Sequence, residues 1–184
     1  MTTTRKFIAL FILALLPAVT MMAQSIEGKW NLSEESKKVL NLEDDEAKGS
    51  LLFTFSGTSV EMAVQFDFSD DEVGTLGFEV TVPGTYKIEE STLKNNFNHA
   101  ESSAQIYKLD FSKEVKAAME ASDEVKSMLI TAITQEFDKN KGQMMTGVRM
   151  IAEGLSTLKI IDSSDATLTI EYNDNDKLVF NKVE

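Results

Sequence analysis

The sequence contains no cysteine, a single histidine and two prolines among its 184 residues. Without cysteine the chain has no disulfide, no thiol nucleophile and no cysteine that could carry a lipid anchor. A zinc site needs more nitrogen or sulfur ligands than His99 alone supplies. A Gly-x-Ser-x-Gly elbow and a glycine-rich phosphate loop are also absent. We therefore expect a protein that is not an enzyme and needs no cofactor or metal, with His99 in a surface loop rather than acting as a base.

Basic residues are scarce: 18 Lys and Arg face 30 Asp and Glu, for a net charge of −12. This balance opposes binding to nucleic acid or to anionic membrane surfaces. Acidic clusters also raise the possibility of Ca²⁺, which binds several carboxylate oxygens. None has the spacing of an EF-hand loop, and solvated turns are the favoured explanation. The clusters are Glu43–Glu46, Asp67 with Asp70–Glu72, and Asp174 with Asp176.

The N-terminal segment has the three zones of a secretory signal peptide. Arg5 and Lys6 are followed by the apolar run Phe7–Val19 and by a small residue, Ala23. The run is shorter than the roughly 20 residues of a membrane span. We expect cleavage after Ala23 and export to the periplasm or the extracellular space, rather than a permanent anchor. The remaining residues, 24–184, are then one domain with a net charge of −14, because Arg5 and Lys6 leave with the signal peptide.

Most of that domain alternates between apolar and polar residues with the period of a β-strand. The alternation predicts a hairpin over residues 50–68, turning at Ser56-Gly57-Thr58, and further strands up to Phe111. It places Tyr107, Leu109 and Phe111 on one face. Pro83-Gly84 is expected to bend or bulge a strand. Three short strands and a hairpin turn are predicted after residue 157.

Residues 112–155 have helical periodicity instead. Ser112 is a candidate N-cap, and Ser122-Asp123 is expected to divide the segment. Gly142 is expected to end a helix, with another one following it. The sequence thus predicts a mainly β fold: an antiparallel up-and-down barrel of about eight or nine strands with a helical insertion between late strands. A β-sandwich is the alternative.

The first strand after the signal reads Gly28-Lys29-Trp30. A Gly-x-Trp at this place resembles the lipocalins and the wider calycin superfamily, and in particular the small lipocalin-like proteins exported by bacteria. A C-terminal hairpin such as Ala166–Val183 is also similar to theirs. The resemblance implies that Trp30, with Gly28, plugs the closed end of a barrel and that a late basic residue stacks over the ring. Arg149 is the candidate, although it lies in the helical insertion.

Lys159 or Lys182 are alternatives for the stacking residue. The long helical segment before the last strands is a second departure from the usual lipocalin order.

Methionines are concentrated in the helical insertion, where they would form either an adaptable apolar lid or ordinary core packing. They are Met119, Met128, Met144, Met145 and Met150.

Our leading hypothesis is an exported, non-enzymatic lipocalin-like protein that binds a small apolar ligand inside the barrel. The predicted ligand-binding residues are Phe53, Phe66, Phe78, Tyr86, Tyr107, Met119, Met128 and Met145. One alternative is a cell-envelope protein-interaction module whose barrel is filled by its own side chains. Another is an enzyme in a calycin barrel, which would require His99 or a carboxylate pair inside the cavity.

Overall fold

The computed structural model of the chain describes residues 26–42, 47–173 and 176–183. Over these residues the protein is mainly β, with nine antiparallel strands in one sheet. The strands are β1 (Gly28–Leu32), β2 (Ala47–Ser56), β3 (Ser59–Asp70), β4 (Gly74–Glu89), β5 (Thr92–Phe97), β6 (Ser103–Phe111), β7 (Thr157–Ser163), β8 (Thr167–Tyr172) and β9 (Asp176–Val183). The predicted signal peptide (1–23), Glu43–Glu46 and Asp174 lie outside the described residues.

Eight of the strands close into a barrel. Each of β1 to β4 pairs with the next strand in sequence, β5 pairs with β7, and β9 pairs back with β1. The ninth strand, β6, lies outside this ring and pairs with β4. This arrangement confirms the predicted up-and-down barrel with its helical insertion between late strands, and not a sandwich.

The predicted hairpin is present as β2 and β3. Ser56 pairs with Ser59 across a two-residue turn in which Gly57 has a φ of 60°, a conformation that glycine adopts without strain. Pro83-Gly84 lies where β4 changes partner: Thr81 is paired with β6, and Gly84 is paired with β5. Proline donates no backbone hydrogen bond, so it is tolerated at this junction.

β6 departs from the predicted alternation. Gly77 of β4 pairs with Lys108, and the next residue, Phe78, pairs with Ile106, so Tyr107 is the extra residue of a β-bulge. A bulge reverses which residues of a strand face inward. Ile106 therefore packs against the core, while Tyr107 is exposed. The prediction that Tyr107 faces the barrel interior is wrong for this reason.

Three α-helices accompany the barrel: α1 (Glu34–Val39), α2 (Lys113–Ala121) and α3 (Asp123–Gly154). The hydroxyl of Ser112 accepts a hydrogen bond from the backbone N–H of Val115, and that of Ser122 accepts one from Val125, so the predicted cap and break are confirmed. The predicted end at Gly142 is wrong, because α3, which has 32 residues, passes through Gly142 and ends at Gly154.

The described part of the barrel has two different ends. At one end, here called the closed end, β1 begins and β9 finishes. At the other, here called the mouth, β3 turns into β4 and α3 packs against β4 and β6. The last part of α3 is in the core: Val148, Ala152 and Leu155 have no exposed surface. Only Phe137 is buried in the part of α3 that precedes them.

Candidate functional site

Trp30 lies near the end of the barrel at which β1 begins. Its ring is fully buried, and its indole N–H donates a 2.6 Å hydrogen bond to the backbone oxygen of Ile26. The Nζ of Lys182 lies 5.2 Å from the ring centroid, within the range of a cation–π interaction. Gly28, with a φ of 115°, leaves room for this lysine, since a Cβ there would lie 3.0 Å from the Cε of Lys182.

Lys182 thus holds the position for which Arg149 was the candidate. Arg149 lies on the exposed face of α3, where its Nε is 2.9 Å from a carboxylate oxygen of Glu153. Lys159 pairs with Glu171 at 3.0 Å. Lys182 occupies the site because it is the cross-strand partner of Trp30 in the pairing of β1 with β9.

The interior of the barrel is occupied by its own side chains. Phe53 is fully buried and is in contact with three other rings: Phe55 at 5.5 Å, Phe180 at 5.4 Å and Phe97 at 6.4 Å between centroids. Valine and leucine side chains with almost no exposed surface fill the neighbouring positions. Phe53 was predicted to line a ligand pocket, and it lies in this aromatic cluster.

An apolar cleft of about 720 Å³ opens at the mouth, between the strand wall and α3. One wall is formed by Phe68 of β3 with Leu76 and Phe78 of β4. The other wall is one flank of α3. The lining residues of that flank are Ala132, Ile133, Glu136, Phe137, Asn140, Gln143 and Met144. This volume is within the size range of pockets that hold small organic molecules.

Stacked aromatic rings join the two walls. Phe78 and Phe137 lie 5.5 Å apart and almost parallel, and Phe68 lies 5.6 Å from Phe78. Phe137 is buried, whereas Phe68 is 40% exposed, so the cleft leads from the core to solvent. A molecule in the cleft would cover apolar surface that is now open to water.

The C-terminal end of α3 is held to the barrel wall by hydrogen bonds. The side-chain amide of Asn95 on β5 donates to the backbone oxygen of Leu155 at 2.9 Å, and the backbone N–H of Asn95 donates to that of Ser156 at 2.8 Å. Gly154 lies against the ring of Tyr172 on β8. These contacts fix the helix that forms one wall of the cleft.

The predicted pocket residues are therefore scattered. Phe78 lines the cleft, whereas Phe66 and Met145 are half-buried against the core. Tyr86 is also half-buried, but it lies by the β2–β3 turn, where its ring is 4.8 Å from that of Phe55. The other four lie elsewhere: Phe53 is in the aromatic cluster of the barrel interior, Met119 lines a small pocket beside Phe111, Met128 is 66% exposed, and Tyr107 is on the outer surface.

The structure adds residues that the sequence did not identify as a site. Phe68 and Leu76 were visible as apolar positions of strands, and Phe137 and Met144 as apolar positions of a helix. The packing of these two segments against each other has no signal in the sequence.

Tyr107 belongs to a polar cluster on the outer face of the sheet. Its hydroxyl donates to a carboxylate oxygen of Asp67, and Lys108 lies 3.1 Å from the other oxygen. Desolvation and this bond to Asp67 raise the pKa of Tyr107. Asp67, a candidate calcium ligand in the sequence, is engaged in these contacts instead.

Polar residues occur on one side of the cleft rim. The side-chain amide of Asn140 donates to Oε1 of Glu136 at 2.7 Å, and the Nζ of Lys139 is 3.3 Å from the same oxygen. These two neighbours, first Asn140 and then Lys139, lower the pKa of Glu136, so that this carboxyl is ionised at neutral pH. The strand wall opposite contributes only apolar side chains.

The remaining candidates for chemistry lie apart from the cleft. His99 begins a short 3₁₀-helix, His99–Glu101, between β5 and β6. Asp70 forms a turn, where its carboxylate accepts from the backbone N–H groups of Glu72 and Val73. Within residues 26–42, 47–173 and 176–183, no three His, Asp or Glu side chains are grouped as a metal site requires.

No protein-family model matches the chain, and a comparison with curated proteins finds no match. The closed antiparallel barrel of eight strands is consistent with a calycin-like fold. Among the helices of the described residues, none is both long enough and apolar enough to span a bilayer.

Proposed function

We propose that this protein binds a small apolar molecule in the cleft between α3 and the β3–β4 wall. The observation that carries the proposal is an opening of about 720 Å³ with a continuous row of rings, Phe68, Phe78 and Phe137, that leads from solvent into the core. The site differs from the expected one in position, because the rings around Phe53 fill the barrel interior. α3 is a wall of the site.

Binding of an apolar fluorescent probe, such as phenylnaphthylamine, tests this proposal. Ala132 lines the cleft and is exposed, so Ala132→Trp fills the opening without disturbing the core. We expect the variant to bind the probe at least about tenfold more weakly, since a ring occupies the space. Ala117→Trp, on the exposed surface of α2, is the matched control. Equal probe binding by both variants would refute the cleft as the site.

The proposed role is binding and not catalysis. His99, the single histidine, is in the short 3₁₀-helix between β5 and β6 and does not line the cleft. The side chains that do line it are mainly hydrocarbon, which supplies no acid, base or nucleophile. Among the described residues, Glu136 is the single carboxylate of the lining, and neither a histidine nor a second carboxylate lines the cleft with it.

Export of the protein is part of the same proposal. It is supported by Arg5, Lys6, the apolar run Phe7–Val19 and the small residue Ala23. N-terminal sequencing of the protein from the native cell envelope should give Gln24 as the first residue. An intact N-terminus on protein recovered from the cytoplasm would contradict export.

A protein-interaction role is the second candidate. The observation in its favour is the exposure of Met128 (66%) and Met150 (69%) on the outer face of α3. A photo-cross-linker at Met128 should then capture one specific envelope protein, and Met128→Lys should lower its recovery from cells. Cross-linking at Ala117 provides the background level.

A further inference from the structure

The two walls of the cleft differ in chemistry. Phe68, Leu76 and Phe78 offer only hydrocarbon, whereas the helix wall carries Glu136, Asn140 and Gln143 on consecutive turns. A ligand that lies between them has an apolar body on one side and meets polar groups along one edge. The cleft therefore suits an amphiphile better than a pure hydrocarbon.

Glu136 is the charged residue among those that line the cleft. Asn140 fixes its carboxylate through a 2.7 Å hydrogen bond, so that the group is oriented before any ligand arrives. An anionic head group placed at this rim would be repelled by it, and a cation attracted. The net charge of −12 acts over longer distance in the same direction.

Two lysines lie near the rim and bear on this argument. Lys139 contacts Glu136 at 3.3 Å, but its side chain is 74% exposed, and an exposed ion pair of this kind contributes little. Lys141 holds its Nζ 5.9 Å from the ring centroid of Phe137. Neither lysine lines the cleft. Lys141 already places a cation over the ring of Phe137, which shows that this ring accommodates one.

We propose that the ligand of this cleft is an amphiphilic cation, an apolar chain with an amine or ammonium head, and that Glu136 selects the head group. The aromatic row of Phe68, Phe78 and Phe137 supports the same charge preference, because ring faces attract cations. The inference rests on the proposed function, since it concerns the occupant of that same cleft.

Three chain-matched competitors test it: dodecylamine, dodecanol and dodecanoate, each displacing the phenylnaphthylamine probe at neutral pH below its micellar concentration. We expect the amine to compete about two- to fivefold better than the alcohol, and the carboxylate to compete worst, as follows from the strength of an exposed charge pair, since the side chain of Glu136 is 64% exposed. In Glu136→Gln the advantage of the amine over the alcohol should disappear.

Glu153→Gln is the matched control, because Glu153 is on the same helix, is exposed and does not line the cleft. It changes the net charge by the same amount and should leave the order of the competitors unaltered. Equal competition by the three compounds, or an equal effect of both variants, would overturn the selection by Glu136 while leaving the cleft as a binding site. Failure of the probe to bind the unmodified protein would overturn the proposed function instead.

Discussion

Leu155→Ala tests whether the end of α3 is part of the barrel core. Leu155 has no exposed surface and belongs to the same buried cluster as Trp30 and the barrel strands. The substitution removes three carbon atoms, which corresponds to a transfer free energy of about 2.4 kcal/mol at about 0.8 kcal/mol for each. The cavity that remains adds to this cost, so we expect the free energy of unfolding to fall by about 3–4 kcal/mol.

Denaturant unfolding can be followed by the emission of Trp30, the single tryptophan of the chain. The ring is fully buried in β1, so its signal reports cooperative loss of the barrel. Met128→Ala, on the exposed side of the same helix, should change the free energy of unfolding by less than about 0.5 kcal/mol. If Leu155→Ala had an effect as small as this control, the helix end would not be in the core. Loss of helical circular dichroism before the Trp30 transition would show that α3 detaches separately.

Three further results are expected. Lys182→Met keeps an apolar stem over Trp30 but loses the cation, so the free energy of unfolding should fall by about 0.5–1 kcal/mol. If this variant and the unmodified protein had the same free energy of unfolding both in low salt and in 1 M salt, the cation–π contact would be contradicted. Hydrogen bonds from Lys87 and Lys94 lower the pKa of Glu89 to about 2, so this group stabilises the fold above its ordinary pKa and ceases to do so as the pH falls towards about 2. An NMR titration should show the pKa of Glu89 rising in Lys94→Ala, and an unshifted value in the unmodified protein would refute the pairing. Amide hydrogen exchange should be fast in the part of α3 that precedes Phe137, which has no buried residue, and slow in the last three turns. Uniform protection along the helix would contradict this gradient.

The barrel was predictable because its strands are long and alternate cleanly. In β3, Val60, Met62 and Val64 are all buried, and the polar residue Glu61 between them is exposed. Burial on one face of a sheet imposes this period, so a strand can be predicted from its own sequence without knowing which strands it pairs with. The bulge at Tyr107 could not be predicted from the sequence, because one inserted residue changes the pairing with β4 while the apolar–polar alternation of β6 still looks regular.

Local rules also failed where longer-range packing decided the outcome. Gly142 has the residue type of a helix end, yet nothing lies within 4 Å of where its Cβ would be, and α3 passes through it. The apolar positions Phe137, Met144 and Val148 continue with helical spacing on both sides of this glycine. Their burial offsets the cost of about 1 kcal/mol for a glycine inside a helix. The stacking cation showed the same limit, because the register of β1 with β9 selects Lys182 and not the single arginine of the domain.

The position of the cleft follows from how the barrel closes. β5 pairs with β7 over only three residue pairs, Thr92–Lys94 with Thr157–Lys159. Near the mouth the described strands therefore leave a gap in the wall between β6 and β8. α3 lies there instead: it packs against β4 and β6, and the backbone oxygen of Leu155 at its end accepts a hydrogen bond from Asn95. A helix is about 10 Å across, whereas neighbouring strands lie about 4.8 Å apart. A straight helix in the place of a strand can therefore meet the curved wall along part of its length only, and the cleft between Phe68 and Phe137 is the space that remains.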